Sequence, residues 1–256
     1  RRRELIIKAA RVLQQSQMII FNETTEELRA KDVGRIASQY YVLQTSVEIF
    51  NTMMRPQATE ADVLKMISMS GEFDNIQSKE PEEKELLRLQ DEAAPCDIEG
   101  GIGSQSGKTN VLLQSYISRA RLEDFTLVSD SSYVAQNAAR ICRALFMIAL
   151  NRRWGYQCLV LLSMCKSIEK RVWAYQHPFH QFDIPQAVMR NLDEKGSTTS
   201  IEALRDMEPA EIGQLVHNNK MGYTIAKLLD NFPTLTVEAE IAPLNRDVLR
   251  IHLYIT

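Results

Sequence analysis

Between Gly34 and Asn231 no stretch of this chain alternates apolar and polar residues with period two, and beyond Leu235 that alternation sets in. The change of period constrains the fold more than any single motif. A helix repeats its buried face every 3.6 residues and a strand every two, so the chain reads as an all-α body followed by β structure. At 256 residues it is long enough for one large domain or two to three small ones. The expected class is mainly α: a helical bundle, then a pair of short helices, then the first strands of a β-sandwich.

The local punctuation divides this further. Glu4 to Gln17 is amphipathic, Met18 to Phe21 is a short apolar run, and Asn22 to Thr25 supplies turn residues before a more polar strand ending near Lys31. A helix followed by a β-ribbon suits the back end of a winged-helix module, assigned to 1–33. The bundle is assigned to 34–192. Gly34 is expected to break the chain, and Arg35 to Met54 to form one long helix stopped by Pro56. Thr59 to Ser70 follows, with Thr59 as N-cap and Asp62 at the third helical position. Then come Glu80 to Glu92 with Pro81 at its start, a loop from Ala93 to Gly107, and helices over Lys108–Arg121, Ser129–Trp154 and Tyr156–Ala174. In 193–233, Ile201–Arg205, a segment from Glu208 to His217 or Asn218, and Tyr223–Asn231 are short helices, the last two joined by Asn218–Gly222 in a helix-hairpin-helix pattern. In 234–256, Val237, Ala239 and Ile241, then Leu249, Ile251, Leu253 and Ile255, alternate with polar residues around Pro243 to Asp247. The chain opens inside a helical pattern and ends inside a strand pattern, as a segment of a longer polypeptide would.

The richest stretch is Ser129 to Trp154. Asp130, Ser131 and Ser132 offer N-cap oxygens, and Ala135, Ala138, Ala139, Ala144 and Ala149 keep the helix slim. Arg140 and Arg143 sit in its middle, Arg152 and Arg153 in its last turn. Guanidinium groups on a slim helix suit a phosphate chain. The competing reading is an ordinary core helix whose terminal arginines answer the helix dipole. In the short helices, Lys220, Met221, Gly222 and Tyr223 could present backbone N–H groups to a phosphate, or the hairpin could be packing alone.

Other chemistries find little support. The net charge of −3 argues against a uniformly basic polymer binder. The charge is unevenly placed, however: ten acids and three bases lie between Glu72 and Glu99, seven bases and one acid between Arg140 and Arg171. Cys96, Cys142, Cys158 and Cys165 fit no zinc spacing and no secreted disulfide frame, which points to a reduced compartment, cytoplasmic or nuclear. No apolar run approaches the roughly 18–20 residues of a membrane span. Gly100 to Thr109 (GGIGSQSGKT) ends like a phosphate loop, but Ile102 stands where that loop needs glycine, and no buried strand precedes it. His177, His180, His217 and His252 are scattered, so neither catalytic residues nor a metal site is assigned, and no cofactor is expected in this chain.

Several segments together resemble a family. Gly34-Arg35-Ile36-Ala37-Ser38 with Tyr40-Tyr41, Lys108 to Gln114, Ser129 to Trp154, Lys170-Arg171-Val172-Trp173, Glu211-Ile212-Gly213 and Met221-Gly222 resemble the Sec63 domain of Ski2-like superfamily-two helicases. The resemblance covers essentially the whole chain. Ala135 to Arg140 is most similar to the branch that includes the activating signal cointegrator helicase subunit and its fungal ribosome-quality-control relatives, with the spliceosomal helicase as a cousin. The resemblance implies a helical bundle, a helix-hairpin-helix and a fibronectin-III-like sandwich. It implies an accessory module that guides single-stranded RNA or DNA away from an ATP-dependent 3′-to-5′ helicase core. ATP and magnesium would belong to RecA-like domains elsewhere in the same polypeptide, and the partners would be those domains, the winged helix and other complex subunits. Ser129–Trp154 matches the ratchet helix, with Arg140 and Gln136 as first candidate contacts, Arg143 on roughly the same face, and Tyr133 and Asn137 on the adjoining side. Met147 stands where relatives often carry an acid, and His180 where they often carry Arg. The same domain type also occurs as a docking scaffold in a translocon-associated protein, which is the alternative function.

Overall fold

In the computed structural model, which describes residues 2–256 apart from the side chain of Ser197, the chain opens with α1 (Arg2–Gln15). The antiparallel ribbon of β1 (Ile19–Asn22) and β2 (Glu27–Ala30) follows. Asn22 makes its turn, the side-chain oxygen accepting the N–H groups of Thr24 and Thr25 at 3.0 and 3.3 Å.

Two helices then stand where the periodicity predicts one. α2 (Asp32–Gln39) and α3 (Gln44–Met53) are separated by a left-handed Tyr41, with φ +52°. The N–H of Val42 donates to Ala37 O at 2.8 Å, and that of Tyr41 to Ser38 O at 3.3 Å, which closes the end of α2 as a Schellman motif. Neither Gly nor Pro marks this break, and the apolar spacing runs straight through it. The N-terminus of α3 is capped from a distance: buried Glu72 accepts Leu43 N–H at 2.9 Å and the Ser46 hydroxyl. Gly34 does not break the chain either. It lies inside α2, where a Cβ would fall 2.1 Å from Met18 O, so its missing side chain is what lets α2 pass the ribbon.

α4 (Glu60–Ser68) starts on the expected box: Thr59 N–H donates to Asp62 at 2.8 Å and Asp62 N–H to Thr59 Oγ1 at 3.3 Å. A 3-10 turn at Glu80–Glu82 leads into α5 (Glu83–Ala93). α6 (Gln105–Ile117) starts three residues before Lys108, with Ser104 Oγ capping Gly107 N–H at 3.0 Å. α7 (Phe125–Asn151) and α8 (Gly155–Lys170) complete a first compact unit that ends at Gln176. Its core includes Val47, Phe50, Leu64, Phe73, Leu89 and Leu112, all fully or almost fully buried. α7 contributes Leu127, Val134, Ala138, Ile141, Leu145 and Ile148, a single face at three- and four-residue spacing.

The second unit begins at His177, sixteen residues ahead of the start expected at 193. Phe179, Val188, Met189 and Leu192 share a core with Leu204, Ile212 and Ile225, because the turn at Pro178–Gln181 and α9 (Gln186–Glu194) bury their apolar side there. α10 (Ile201–Arg205), α11 (Pro209–Leu215) and α12 (Asn219–Leu229) follow. α12 starts four residues earlier than the sequence suggests, because Asn218 caps it through Met221 N–H at 3.2 Å. β3 (Val237–Pro243) and β4 (Leu249–Ile255) pair antiparallel, Val237 opposite Ile255 and Pro243 opposite Leu249, with every residue exposed. Among the described residues no strand lies between Ala30 and Val237.

Candidate nucleic-acid interface

α7 starts at Phe125 because Asp124, not Asp130, Ser131 or Ser132, is its N-cap. The Asp124 carboxylate accepts Thr126 N–H at 2.7 Å and Leu127 N–H at 3.1 Å, bonds that hold its pKa below the usual aspartate range. The helix ends at Asn151. Arg152 is its C-cap and Arg153 follows in the left-handed conformation, so neither is in the last turn. Arg152 lies over the Trp154 ring at 4.9 Å and donates to Asn51 at 3.2 Å, and burial lowers its pKa.

Beside α7 runs an open groove of about 510 Å³. Gln136, Arg140 and Arg143 lie along it, one turn apart on α7. Ala135 and Ala139 keep that stretch of helix slim, while Ala138, Ala144 and Ala149 face the core. The far side carries Glu169 of α8 and Tyr116 of α6. The three α7 residues therefore share a face that opens outward.

Their partners differ. Gln136 is exposed. Arg140 is partly buried: its Nη1 donates to the carbonyls of Tyr40 (2.9 Å) and Tyr41, and its Nη2 to Asn137 Oδ1. These are carbonyls at the C-terminal end of α2, where a cation is favoured. Among the described residues no carboxylate pairs with Arg140, so its charge is not cancelled locally. Arg143 is ion-paired with Glu169 across the groove, both side chains about half exposed. An exposed pair of this kind contributes roughly 0–1 kcal/mol and is readily exchanged for another anion. Tyr133 and Asn137 lie on the adjoining side of α7. Tyr133 donates its hydroxyl to Glu72 O at 3.0 Å and meets the Phe73 ring edge-on at 6.3 Å, while Asn137 donates to Tyr133 O at 2.9 Å. They brace Arg140 and do not line the groove. Sequence reasoning misses Glu169 and Tyr116, because only the packing of α8 and α6 against α7 brings them there.

The helix-hairpin-helix candidates are arranged differently from expectation. Lys220, Met221, Gly222 and Tyr223 occupy the first turns of α12, not a loop. Met221 N–H is taken by Asn218 Oδ1 and Gly222 N–H by Asn218 O at 3.2 Å. A Cβ on Gly222 would sit 2.2 Å from Pro209 O and 2.5 Å from Gly213 N, so this glycine serves the close approach of α11 and α12. Lys220 and Tyr223 remain exposed. His180 pairs with Asp193 at 2.9 Å.

The Gly-Lys-Thr sequence is built into the core. Lys108 is fully buried within α6, 2.6 Å from Glu82, 2.8 Å from Asp130 and 3.0 Å from Gln77 O. Its ammonium cross-links α6, α7 and the turn before α5, and it is not available to a nucleotide. Among the described residues no group of three or more His, Cys, Asp or Glu could hold a metal ion, and no helix is long and apolar enough to cross a membrane.

Comparison with known proteins agrees with the resemblance. The chain is 53% identical over 253 residues to the RQC trigger complex helicase SLH1 of Saccharomyces cerevisiae, covering 99% of this chain and 13% of that protein. It is 41% identical over 256 residues to activating signal cointegrator 1 complex subunit 3 of Gallus gallus, covering 100% of this chain and 12% of that one. Identity to the human U5 small nuclear ribonucleoprotein 200 kDa helicase is 37% over 257 residues, again 100% and 12%. The chain thus spans about an eighth of the length of these relatives. The Sec63 Brl domain family matches residues 30–256, nearly the whole chain, and the chain belongs to that family.

Proposed function

We propose that this chain is the accessory module of an ATP-dependent 3′-to-5′ RNA helicase of the ribosome-quality-control and cointegrator type, and that it guides single-stranded nucleic acid leaving the helicase core. The observation that carries this reading is the open groove along which Gln136, Arg140 and Arg143 are spaced one helical turn apart. Arg140 is fixed by the α2 carbonyls yet keeps an uncancelled charge, and Arg143 offers a second cation held only by an exchangeable acid. Successive phosphates of a strand could exchange along such a strip without base readout, which gives weak, salt-dependent, sequence-tolerant binding. Gln136 contributes a neutral hydrogen-bonding group one turn from Arg140. ATP and magnesium belong to RecA-like domains of the parent polypeptide, and α1 with the β-ribbon forms the tail of its winged helix. α11 and α12 form the helix-hairpin-helix, with Lys220 and Tyr223 as secondary contacts, and β3–β4 begins a fibronectin-III-like sandwich. The parent works with other subunits of a helicase complex, in the cytoplasm or nucleus.

The test is fluorescence anisotropy of a labelled single-stranded oligonucleotide with this chain, paired with unwinding by the parent helicase carrying Arg140→Glu. The expected result is weaker binding and slower unwinding. Unwinding at full rate would remove the guiding role. A docking function is the second reading, favoured by the exposed Tyr156, Leu159 and Leu162 on one side of α8. It predicts that Leu159→Glu, and not Arg140→Glu, impairs the parent.

A further inference from the structure

Cys142 of α7 and Cys165 of α8 bring their sulfur atoms to 3.4 Å. Cys142 is sealed in the core, its sulfur 3.8 Å from Leu161 O. Cys165 is partly exposed and lies one turn before Glu169, so it reaches the solvent side of the α7–α8 contact. Arg143 follows Cys142 directly and is ion-paired with Glu169. We propose that this pair is a reversible oxidation site: a hydroperoxide oxidises Cys165, and Cys142 resolves the product into an intramolecular disulfide that ties α7 to α8 beside the groove.

The chemistry closes without a further reactant. The Cys165 thiolate attacks one peroxide oxygen. An S–O bond forms, the O–O bond breaks, and the other oxygen leaves as hydroxide or alkoxide, so the sulfur is oxidised by two electrons and the peroxide reduced. The Cys142 sulfur then attacks the Cys165 sulfenic acid. The S–S bond forms, the S–O bond breaks, and the thiol proton leaves with the hydroxyl as water. A small thiol reverses the step by exchange. Only a modest closure is needed to bring 3.4 Å to the roughly 2.05 Å of a disulfide.

The surroundings divide the two roles. The hydrogen bond shared by the thiols holds Cys165 below the usual cysteine range, and Arg143 adds to this against the opposing effects of burial and Glu169. The same bond and full burial push Cys142 upward, so it keeps its proton, as a resolving thiol that condenses with a sulfenic acid can. Cys96 is raised by burial and by Glu60 and Asp97, which makes it a poor nucleophile. Among the described residues neither Cys96 nor Cys158 lies within hydrogen-bonding distance of another thiol.

The experiment treats the whole chain with dilute hydrogen peroxide, blocks remaining thiols with an alkylating reagent, and maps peptides by mass spectrometry. The expected result is a linked Cys142–Cys165 peptide, two of the four thiols protected from alkylation, and full recovery after dithiothreitol. Cys165→Ser should abolish the link. Cys142→Ser should leave a Cys165 sulfenic acid that dimedone traps. Oxidation confined to Cys96 or Cys158, links between separate chains, or no linked peptide in the unsubstituted protein would each overturn the proposal. The unsubstituted map decides the matter even if Cys142→Ser fails to fold.

Discussion

Replacing Lys108 with methionine should cost the first unit much of its stability, and the partners of Lys108 say how much. The side chain is fully buried, and Glu82 beside it is 2% exposed, while Asp130 is 27% exposed. Without the ammonium, Asp130 can turn to water but Glu82 cannot. Breaking a buried pair by removing one partner costs about 3–5 kcal/mol, because the other charge stays buried and uncompensated. Lys79 lies 3.9 Å from the second Glu82 oxygen, and its backbone N–H donates to Glu82 at 3.3 Å. That residual compensation puts the expected loss near the low end, about 3 kcal/mol. Both tryptophans, Trp154 and Trp173, belong to the first unit, so their fluorescence in urea follows this unit alone. With a slope of about 2 kcal/mol per molar urea, the midpoint should fall by roughly 1.5 M. Adding Glu82→Gln to Lys108→Met removes the stranded charge and should restore about half of the loss. The reasoning fails if Lys108→Met shifts the midpoint by less than about 0.5 M, or if the double variant loses the sum of the two single losses. ATP added to either protein should shift nothing.

Other outcomes follow from the same geometry. Glu169→Gln releases Arg143 and removes the acid from the groove, so oligonucleotide affinity measured by anisotropy at low salt should rise by about two- to tenfold, and unchanged affinity would detach the groove from binding. Gly222→Ala places a methyl 2.2 Å from Pro209 O and should lower the stability of the second unit by at least about 1–3 kcal/mol, read from the hydrogen exchange of α11 and α12 amides. Bonds from the Thr59 backbone and hydroxyl hold Asp62 below the usual aspartate range. Its contribution is therefore present above the unfolded-state pKa and lost as the pH falls through the lower folded value. Asp62→Asn should flatten the decline of the thermal midpoint below about pH 4, and an unaltered acid limb would refute this.

How much could be read in advance differs by element. The Thr59–Asp62 box was legible because every atom it needs lies within four residues. The β3–β4 hairpin was legible because period two is a property of the strand itself. The break at Tyr40–Leu43 was not. Its Schellman closure uses Tyr41 in a left-handed conformation that no residue type announces, and Glu72, 29 residues away from Leu43, caps the next helix. The start of α7 was misplaced because Asp124 and Asp130 are equally good caps on paper. Only the ion pair of Asp130 with Lys108 shows that Asp130 is engaged elsewhere.

The groove follows the same division. That Gln136, Arg140 and Arg143 share one face follows from the 3.6-residue repeat and needs no tertiary contact. Whether that face is open, which cation keeps its charge and which is matched by an acid depend on α2, α6 and α8. Periodicity reports which way a side chain points from its own helix axis. What it meets there is set by residues distant in sequence, and only the packed chain brings Tyr40, Tyr116 and Glu169 to α7.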